Sequence, residues 1–394
     1  MTHYDYLIIG GGMTATAAVS GIRQQDETGR IGLITAEPEP PYDRPPLSKQ
    51  LWTGRKTLDA IYHALPSEVE VHVGRTAQQL DPAQKQVLDD RGHRFTYNKL
   101  LLATGSSPRR LPFGPDNVIY FRTVKDYRCL RRLVESHNRF AVIGGGFIGS
   151  EIAAALAQQG KQVTLIFPEA GIGSRLFPAD LSNFLNDYYR QKGVDVQNES
   201  SVSHIAGSGT DLAVTLDDDW VHRVVGVHGV VAGIGVTPNT RLAKAAGLEV
   251  GNGICVNEKL QTSNSHIFAA GDVANYPDAL LGTHRRVEHE DAANAMGQTA
   301  GRIMAGAAET YDYSPMFYSD LFDLGYEAVG ELDSRMETVS AWKEPYHKGI
   351  IAYHENGRVR GILLWNVWGK VDAARQLLAS NCTVSAADLK GYLS

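Results

Sequence analysis

Short apolar runs alternate along this chain with segments whose apolar residues recur every three or four positions, as in strands followed by helices. The first apolar run, at 4–9, leads through Gly10 and Gly12 into a helical pattern that reaches about Gln25. A second apolar run, "RIGLITA", then ends just before Glu37. This stretch predicts a strand–helix–strand unit.

The same design recurs in the middle of the chain. A strand is predicted at 139–143, followed by a glycine turn that begins at Gly144 and a helix that runs to Gln159, with Gly160 as its stop signal. The strand "QVTLIF" follows and ends shortly before Glu169. Each unit therefore carries an acid just past its second strand, and the pair forms an internal structural repeat.

The rest of the pattern predicts further layers of strand and helix. A helix is expected at about 291–306, short strands after Tyr311 with a hairpin around Asn356-Gly357, and a helix at 371–379. These elements predict an α/β fold with two Rossmann-like dinucleotide-binding domains and a C-terminal α+β domain. The predicted boundaries are a discontinuous first domain at 1–110 and 236–309, a second at 111–235 and a third at 310–394.

The two glycine turns indicate chemistry as well as fold. Such a turn presents backbone N–H groups at a helix N-terminus, where a pyrophosphate binds, and an acid after the second strand can bind the ribose hydroxyls. A lone copy is a weak sign, because a flexible glycine loop also matches it. Two copies, each with its strand, helix and acid, predict two dinucleotides, most naturally a flavin and a nicotinamide. The copies read Gly10-x-Gly12-x-x-Ala15 and Gly144-x-Gly146-x-x-Gly149.

Composition narrows the function classes. A formal net charge of −6 argues against a protein that coats nucleic acid, although the stretch 125–139 is locally basic. The three cysteines, Cys129, Cys255 and Cys382, form no C-x-x-C motif, so no local redox dithiol is expected. No histidine spacing suggests a metal site, and we expect none. We also expect no signal peptide, no membrane span and a cytoplasmic location.

Five motifs give the chain a family resemblance: "PPYDRPPLSK", "LLATGSSPR", "GGGFIGSE", "IFAAGDVA" and "RRVEHED". With them the chain resembles the FAD-dependent pyridine-nucleotide oxidoreductases that lack a redox disulfide. This group includes NADH-dependent ferredoxin and rubredoxin reductases and apoptosis-inducing factor. The C-terminal "FYSDLFDLGYEAVGELDS" and "GRVRGILLWNV" look most like apoptosis-inducing factor. The resemblance implies a glutathione-reductase-like fold with FAD in the first domain and NAD in the second.

The resemblance also implies a set of residues for non-covalent FAD. Lys49, paired with Glu151 beside the flavin, is implied as the redox-tuning group, and Tyr318 stands where many relatives place a tryptophan against the flavin. Asp272 would bind the ribityl chain, and Ala77 would meet the adenine through its backbone. The remaining FAD positions, from the glycine turn and the resemblance together, are Gly10, Gly12, Met13, Thr14, Ala15, Glu37, Arg44 and Arg109.

A second set is implied for NADH. Glu288 and His289 would lie near the nicotinamide and the flavin, and Glu327 would contribute from the C-terminal domain. The positions implied for the adenosine and pyrophosphate are Gly145, Gly146, Phe147, Ile148, Glu169, Arg175 and Gly235.

Three of these residues also have a plainer interpretation. Lys49 would otherwise be an ordinary surface lysine, Asp272 a helix cap and His289 a solvent-exposed side chain. The rigid proline turn before Lys49 and the facing Glu151 favour the functional interpretation for the lysine.

The electron acceptor stays open at this level. We expect an NADH reductase that serves a small carrier protein of ferredoxin or rubredoxin type, docked on the basic stretch that includes Arg128, Arg131, Arg132 and Arg139. The alternatives are a redox-gated interaction protein like apoptosis-inducing factor and a quinone or oxygen reductase. The short segment 337–351, where apoptosis-inducing factor has a long acidic insertion, favours the reductase. Either a monomer or a homodimer fits the sequence.

Overall fold

The computed structural model describes residues 1–217, 222–380 and 382–392 and divides the chain into two compact units. Each unit is assembled from three separate segments. The first comprises Met1–Arg44, Thr57–Ser107 and Thr237–Met316, and the second comprises Pro45–Lys56, Pro108–Val236 and Phe317–Ser394. These units group the chain by its packing, and the predicted division by cofactor stays a prediction.

The strands of the described chain are numbered here in chain order. They are β1 (Thr2–Ile9), β2 (Ile31–Ile34), β3 (Glu70–His72), β4 (Ala77–Asp81), β5 (Gln86–Asp89), β6 (Arg94–Leu102), β7 (Ser106–Pro108), β8 (Ile119–Tyr120), β9 (Arg139–Ile143), β10 (Gln162–Ile166), β11 (Val194–Gln197), β12 (Ser201–Ser208), β13 (Asp211–Asp217), β14 (His222–Val227), β15 (Gly229–Ala232), β16 (Val236–Pro238), β17 (Val250–Gly251), β18 (Gly253–Cys255), β19 (Ile267–Ala269), β20 (Ala274–Asp278), β21 (Thr283–Arg285), β22 (Met316–Leu321), β23 (Leu324–Gly330), β24 (Glu337–Glu344), β25 (Lys348–Glu355) and β26 (Arg358–Trp365).

The α-helices of the same residues are α1 (Met13–Arg23), α2 (Gln50–Thr53), α3 (Val124–Ser136), α4 (Phe147–Gln158), α5 (Ala179–Gln191), α6 (Arg241–Ala245), α7 (Glu290–Met304), α8 (Val371–Ala379) and α9 (Ala386–Lys390). Short 3₁₀ turns lie at Pro45–Leu47, Asp59–Ile61 and Gly271–Val273.

A mostly parallel sheet forms the core of the first unit. Its strand order is β3-β2-β1-β6-β5-β4, and β19 pairs with β6. Strand β1 lies parallel to both neighbours, and its apolar side chains are buried because the sheet is covered on both faces. In register, Ile9 lies beside Leu102, and Leu102 lies beside Ala269. The turns that follow β1, β6 and β19 therefore share one edge of the sheet.

Helices α1 and α7 pack closely against each other in the first unit. A Cβ added at Gly297 of α7 would lie 2.3 Å from the carbonyl oxygen of Thr14 in α1, so only glycine permits this approach. The contact fixes the start of α7 relative to the first glycine turn.

The second unit contains a parallel sheet of the same kind. Its order is β11-β10-β9-β15-β8, with each neighbouring pair parallel. Ile143 lies in register with Ile166 and with Ala232, so the segments after β9, β10 and β15 meet at one edge. The antiparallel strands β12, β13 and β14 form a separate sheet, which the sequence pattern did not predict.

The C-terminal part of the second unit is an antiparallel sheet with the order β22-β23-β26-β25-β24. The predicted hairpin is confirmed, because Asn356 and Gly357 connect β25 to β26 with φ angles of 52° and 73°, as a type I′ turn requires. The two parallel sheets with their helices, together with this antiparallel sheet, confirm the predicted α/β fold class.

Candidate functional site

The first glycine turn joins β1 to α1 in the first unit. Gly10 has a φ of 130°, and a Cβ added there would lie 2.0 Å from the carbonyl oxygen of Ala103, so the turn requires glycine. At Gly12, by contrast, an added Cβ would meet no protein atom within 4 Å. Helix α1 then begins with Met13 and Thr14, and Ala15 in its first turn is fully buried. The open space lies in front of the helix N-terminus.

The second glycine turn joins β9 to α4 in the second unit and repeats this geometry. Gly144 has a φ of 110°, and its added Cβ would lie 2.4 Å from the carbonyl oxygen of Gly233, whereas Gly146 faces open space. Gly145 packs against the ring of Phe167. The first helical residue, Phe147, places its ring 6.1 Å from that of Phe317, and Ile148 follows it.

Neither of these two helices is capped by its own side chains. Gly12 and Gly146 are the N-cap residues of α1 and α4, and neither first turn holds an acidic residue. Helix α3, in contrast, has a complete capping box formed by Thr123 and Asp126. The first N–H groups of α1 and α4 are therefore left for an anion, which fits the pyrophosphate of a dinucleotide.

The acid after each second strand is held by an arginine from a nearby loop. Arg44 donates to one carboxylate oxygen of Glu37, and the hydroxyl of Tyr42 donates to the other at 2.5 Å. In the second unit, Arg175 donates to Glu169 at 2.7 Å, although the arginine side chain remains 84% exposed. Both carboxylates are thereby held in a defined orientation.

Asp272 lies in the 3₁₀ turn after β19. The hydroxyl of Ser106 donates to its carboxylate at 2.9 Å, and Arg286 donates to its backbone oxygen at 3.1 Å. Arg286 also forms an ion pair with Glu288. Sequence reasoning missed both Ser106 and Arg286, because a serine in a turn and an arginine near an acid are too common to single out.

His289 is the N-cap residue of α7 and is expected to remain neutral at pH 7. Burial lowers its pKa to about 4, the neighbouring Arg285 acts in the same direction, and Asp272 opposes them. The N-terminal dipole of α7 also disfavours a positive charge at this position, although Glu290 and Asp291 in the first turn oppose it.

Lys49 and Glu151 form a buried ion pair in the second unit. The Lys49 Nζ lies 2.6 Å from Glu151 Oε1, and the side chains are only 9% and 2% exposed. The hydroxyls of Ser48 and Ser319 donate to the same carboxylate, each at 2.6 Å. The structure thus brings together the two residues that the family resemblance paired, and it adds two serines that sequence reasoning missed.

Two further predicted residues lie on the C-terminal sheet. The ring centroid of Tyr318 on β22 is 5.2 Å from the Lys49 Nζ, a cation–π distance. Glu327 lies on β23, and burial raises the pKa of its carboxyl, opposed by a backbone contact at Gly369. Its Oε2 atom is buried and has no hydrogen-bond partner among the described residues.

The remaining predicted residues lie at strand ends. Ala77 begins β4 and pairs with Asp89 in β5. Gly235 has a φ of 95°, and its carbonyl accepts from the Arg109 backbone N–H at 2.9 Å. The Arg109 side chain donates to the carbonyl of Val236 at 3.2 Å. No contact here assigns Arg109 or Ala77 a ligand, so their roles stay predictions.

Other predicted features concern the chain outside these turns. Cys129, Cys255 and Cys382 are free. Within the described ranges, no set of three or more acidic, histidine or cysteine side chains is arranged to hold a metal ion. No helix in the same ranges is long and apolar enough to span a bilayer.

With two open glycine turns and their acids established, comparison with known proteins identifies the class. The chain belongs to the pyridine nucleotide-disulphide oxidoreductase family, whose family model matches residues 4–299. A second family model, described as apoptosis-inducing factor, mitochondrion-associated, C-term, matches residues 300–345 and 343–380. The family resemblance stated from the motifs is confirmed.

Individual relatives match over most of their length. The chain is 35% identical to apoptosis-inducing factor 1, mitochondrial, of Dictyostelium discoideum, covering 97% of this chain and 79% of that protein. It is also 35% identical to the 5,5′-dehydrodivanillate O-demethylase ferredoxin reductase subunit of Sphingobium sp. (strain NBRC 103272 / SYK-6), over 91% of this chain and 89% of that protein. The crystal structure of the covalent putidaredoxin reductase–putidaredoxin complex matches with a TM-score of 0.91 and 29% identity, covering 99% and 96% of the two chains.

The open space at Gly146 generates the first prediction. The Gly146→Ala variant should fold normally, because the added methyl group meets no protein atom, yet it should obstruct a bound pyrophosphate. We expect affinity for NADH to fall roughly tenfold, which corresponds to about 1.4 kcal/mol. Fluorescence titration with NADH measures the affinity, and thermal unfolding measures the stability.

Gly144→Ala is the matched control for that variant. Its methyl group would collide with the carbonyl of Gly233, so this variant should lose stability instead. Unchanged NADH affinity in Gly146→Ala would show that the nucleotide does not bind at this turn.

His289 generates a pH-dependent prediction. The unfolded chain takes up this proton near pH 6.5 and the folded chain only near pH 4, so stability should fall as the pH falls from 6.5 to 4. We expect the free energy of unfolding to fall by about 2 kcal/mol. This is less than the full pKa shift of His289 would give, because the ring is partly exposed. Denaturant unfolding from pH 7 to 4.5 measures this.

In His289→Asn the free energy of unfolding should fall less steeply as the pH falls. His284→Asn, at an exposed position of β21, is the control and should keep the wild-type slope. Identical slopes of stability against pH for wild type and His289→Asn would argue against a lowered pKa for His289.

Proposed function

We propose that this protein is an FAD-dependent NADH oxidoreductase that passes electrons to a small carrier of ferredoxin type. The observation that carries the proposal is the presence of two uncapped glycine turns, one in each unit, on a chain whose cysteines are unpaired. Two dinucleotides without a dithiol imply that electrons leave from the flavin itself. Relatives named as ferredoxin reductases support the choice of carrier.

The first unit would hold FAD without a covalent bond. Its open turn at Gly12 would bind the pyrophosphate, Glu37 the adenosine ribose and Asp272 the ribityl chain. The second unit would hold the NADH adenosine and pyrophosphate through the turn at Gly146 and through Glu169. When bound, FAD would accept a hydride from NADH and release electrons one at a time.

The chain's own contribution would be placement and charge. Lys49 would hold a fixed positive charge for the flavin, and Glu151 would keep the lysine oriented. His289, which stays neutral, would add no competing charge at the start of α7. The residues of the chain would not have to donate a proton, since their contribution to this chemistry would be binding and orientation.

The proposed carrier would dock on the exposed face of α3. Lys125, Arg128 and Arg132 are exposed along this helix. Arg131 is engaged elsewhere, because its guanidinium lies 5.5 Å from the Trp52 ring centroid and donates to Gln159.

We propose a cytoplasmic protein, since three well-separated free cysteines suit a reducing compartment.

The match to the C-terminal model of apoptosis-inducing factor supports a second candidate. In that case NADH would produce a long-lived charge-transfer complex and a change in assembly. Against it, strands β24 and β25 are joined by a short turn near Tyr346. A quinone or oxygen reductase is a third candidate.

The carrier experiment tests the proposed function. Steady-state NADH oxidation should accelerate when ferredoxin or rubredoxin is added, and the gain should shrink as salt rises, because exposed charges are screened beyond about 8 Å at physiological ionic strength. An Arg128→Glu/Arg132→Glu variant should lose most of the gain. The control Arg358→Glu changes an exposed arginine on β26 and should keep it.

Sizing of the NADH-reduced protein completes that experiment. If no carrier accelerates turnover and NADH converts monomer to dimer, the redox-gated candidate is correct instead. Acceleration by quinone or oxygen alone would favour the third candidate.

Nucleotide preference is a separate prediction. Glu169 should accept hydrogen bonds from the ribose hydroxyls and repel a 2′-phosphate, so kcat/KM should be higher for NADH than for NADPH. Glu169→Ala should narrow the gap, because Arg175 is then released from its ion pair. The control Glu135→Ala, at an exposed position of α3, should leave the preference intact. Equal or reversed kcat/KM values in the wild type would refute this role.

A further inference from the structure

The carboxylate of Glu151 receives three donors from two separate segments of the second unit. Lys49 Nζ and the Ser319 hydroxyl both reach Oε1 at 2.6 Å, from the α2 start and from β22. The Ser48 hydroxyl reaches Oε2 at 2.6 Å. Ser48 and Ser319 are themselves 5% and 1% exposed, so water does not compete for these contacts.

Both hydroxyls are held on fixed elements. Ser48 follows the 3₁₀ turn Pro45–Leu47, which the Trp52 indole N–H secures by donating to the carbonyl of Leu47 at 2.7 Å. The other nearby acceptor for Ser48, the carbonyl of Pro45, is 3.5 Å away, so the proton points to the carboxylate. Ser319 lies on β22, which is hydrogen-bonded to β23 in the C-terminal sheet.

These contacts control how strongly Glu151 acts on Lys49. Hydrogen bonds from neutral donors spread and stabilise the charge of a carboxylate, and they are stronger in a low-dielectric interior. A carboxylate that accepts two such hydrogen bonds interacts less strongly with the ammonium group beside it. The positive charge of Lys49 is then less neutralised than in a simple ion pair.

We propose that Ser48 and Ser319 are positioning residues that set how much of the Lys49 charge acts on a bound flavin. The inference rests on the proposed role of Lys49. When either serine loses its hydroxyl, Glu151 binds Lys49 more tightly, and the reduced form of the cofactor loses stabilisation relative to the oxidised form.

The test is the flavin midpoint potential of the FAD-loaded full chain, measured without any carrier. Ser48→Ala and Ser319→Ala should each shift the equilibrium toward oxidised flavin about three- to tenfold. For a two-electron couple, a tenfold change corresponds to about 30 mV. Ser48→Thr and Ser319→Thr keep a hydroxyl and should restore much of the wild-type potential. Each serine binds a different oxygen, so either one, if folded, suffices as a test.

Ser182→Ala is the matched structural control. Its hydroxyl is equally buried in the second unit and donates to the carbonyl of Ile172 at 3.0 Å, away from Glu151. This variant should lower the unfolding temperature without moving the potential. If the Ser48 and Ser319 variants behave like Ser182→Ala, their role is structural and the inference is overturned.

The Lys49→Ala variant distinguishes a failure of the serine hypothesis from a failure of the proposed role of Lys49. A shifted potential in Lys49→Ala, with unchanged potentials in the serine variants, overturns the inference and leaves the role of Lys49 standing. An unchanged potential in Lys49→Ala overturns both. Neither result depends on the electron acceptor, so a failure of the carrier proposal remains distinguishable.

Discussion

Removing Lys49 and Glu151 from water is a demanding electrostatic requirement in the second unit. Desolvation costs several kcal/mol per ion, and a buried pair offsets this only with good geometry and further hydrogen bonds. The 2.6 Å contact and the two serine donors supply both. Apolar residues of similar size would often stabilise a core as well or better, so the pair favours a functional explanation. The turn before α2, helix α4 and strand β22 must all be placed to satisfy one carboxylate.

The two glycine turns link folding to binding in a different way. Helices α3 and α9 satisfy their first N–H groups with capping boxes, whereas α1 and α4 have glycine at the N-cap and no acid in the first turn. Because the N-cap residue is glycine, each of these helices gives up about a few tenths of a kcal/mol relative to serine or aspartate at that position. A bound anion can replace that contribution, so a dinucleotide would stabilise the unit that binds it.

Arginines recur beside the acids of both units. Glu37, Glu169 and Glu288 are each paired with an arginine within seven positions in the sequence. Because dinucleotide phosphates are negative, unpaired acids nearby would repel them, and the paired arginines lower the local negative charge. The same pairing orients each carboxylate in advance, which reduces the conformational entropy lost on binding.

The sequence by itself determined the features that depend on neighbouring residues. These local features are the glycine spacing, the acids after Phe167 and Ala36, the Asn356-Gly357 hairpin and the ends of α4, α7 and α8. The structure has them within about two residues of the predicted positions. Family resemblance, rather than pattern, brought Lys49 and Glu151 together. The tertiary structure alone decided the rest. Ser48 and Ser319 are 103 and 168 positions from Glu151, and an isolated serine carries no local signal of such a contact. Only the packing of three distant segments places those two hydroxyls against the buried carboxylate of Glu151.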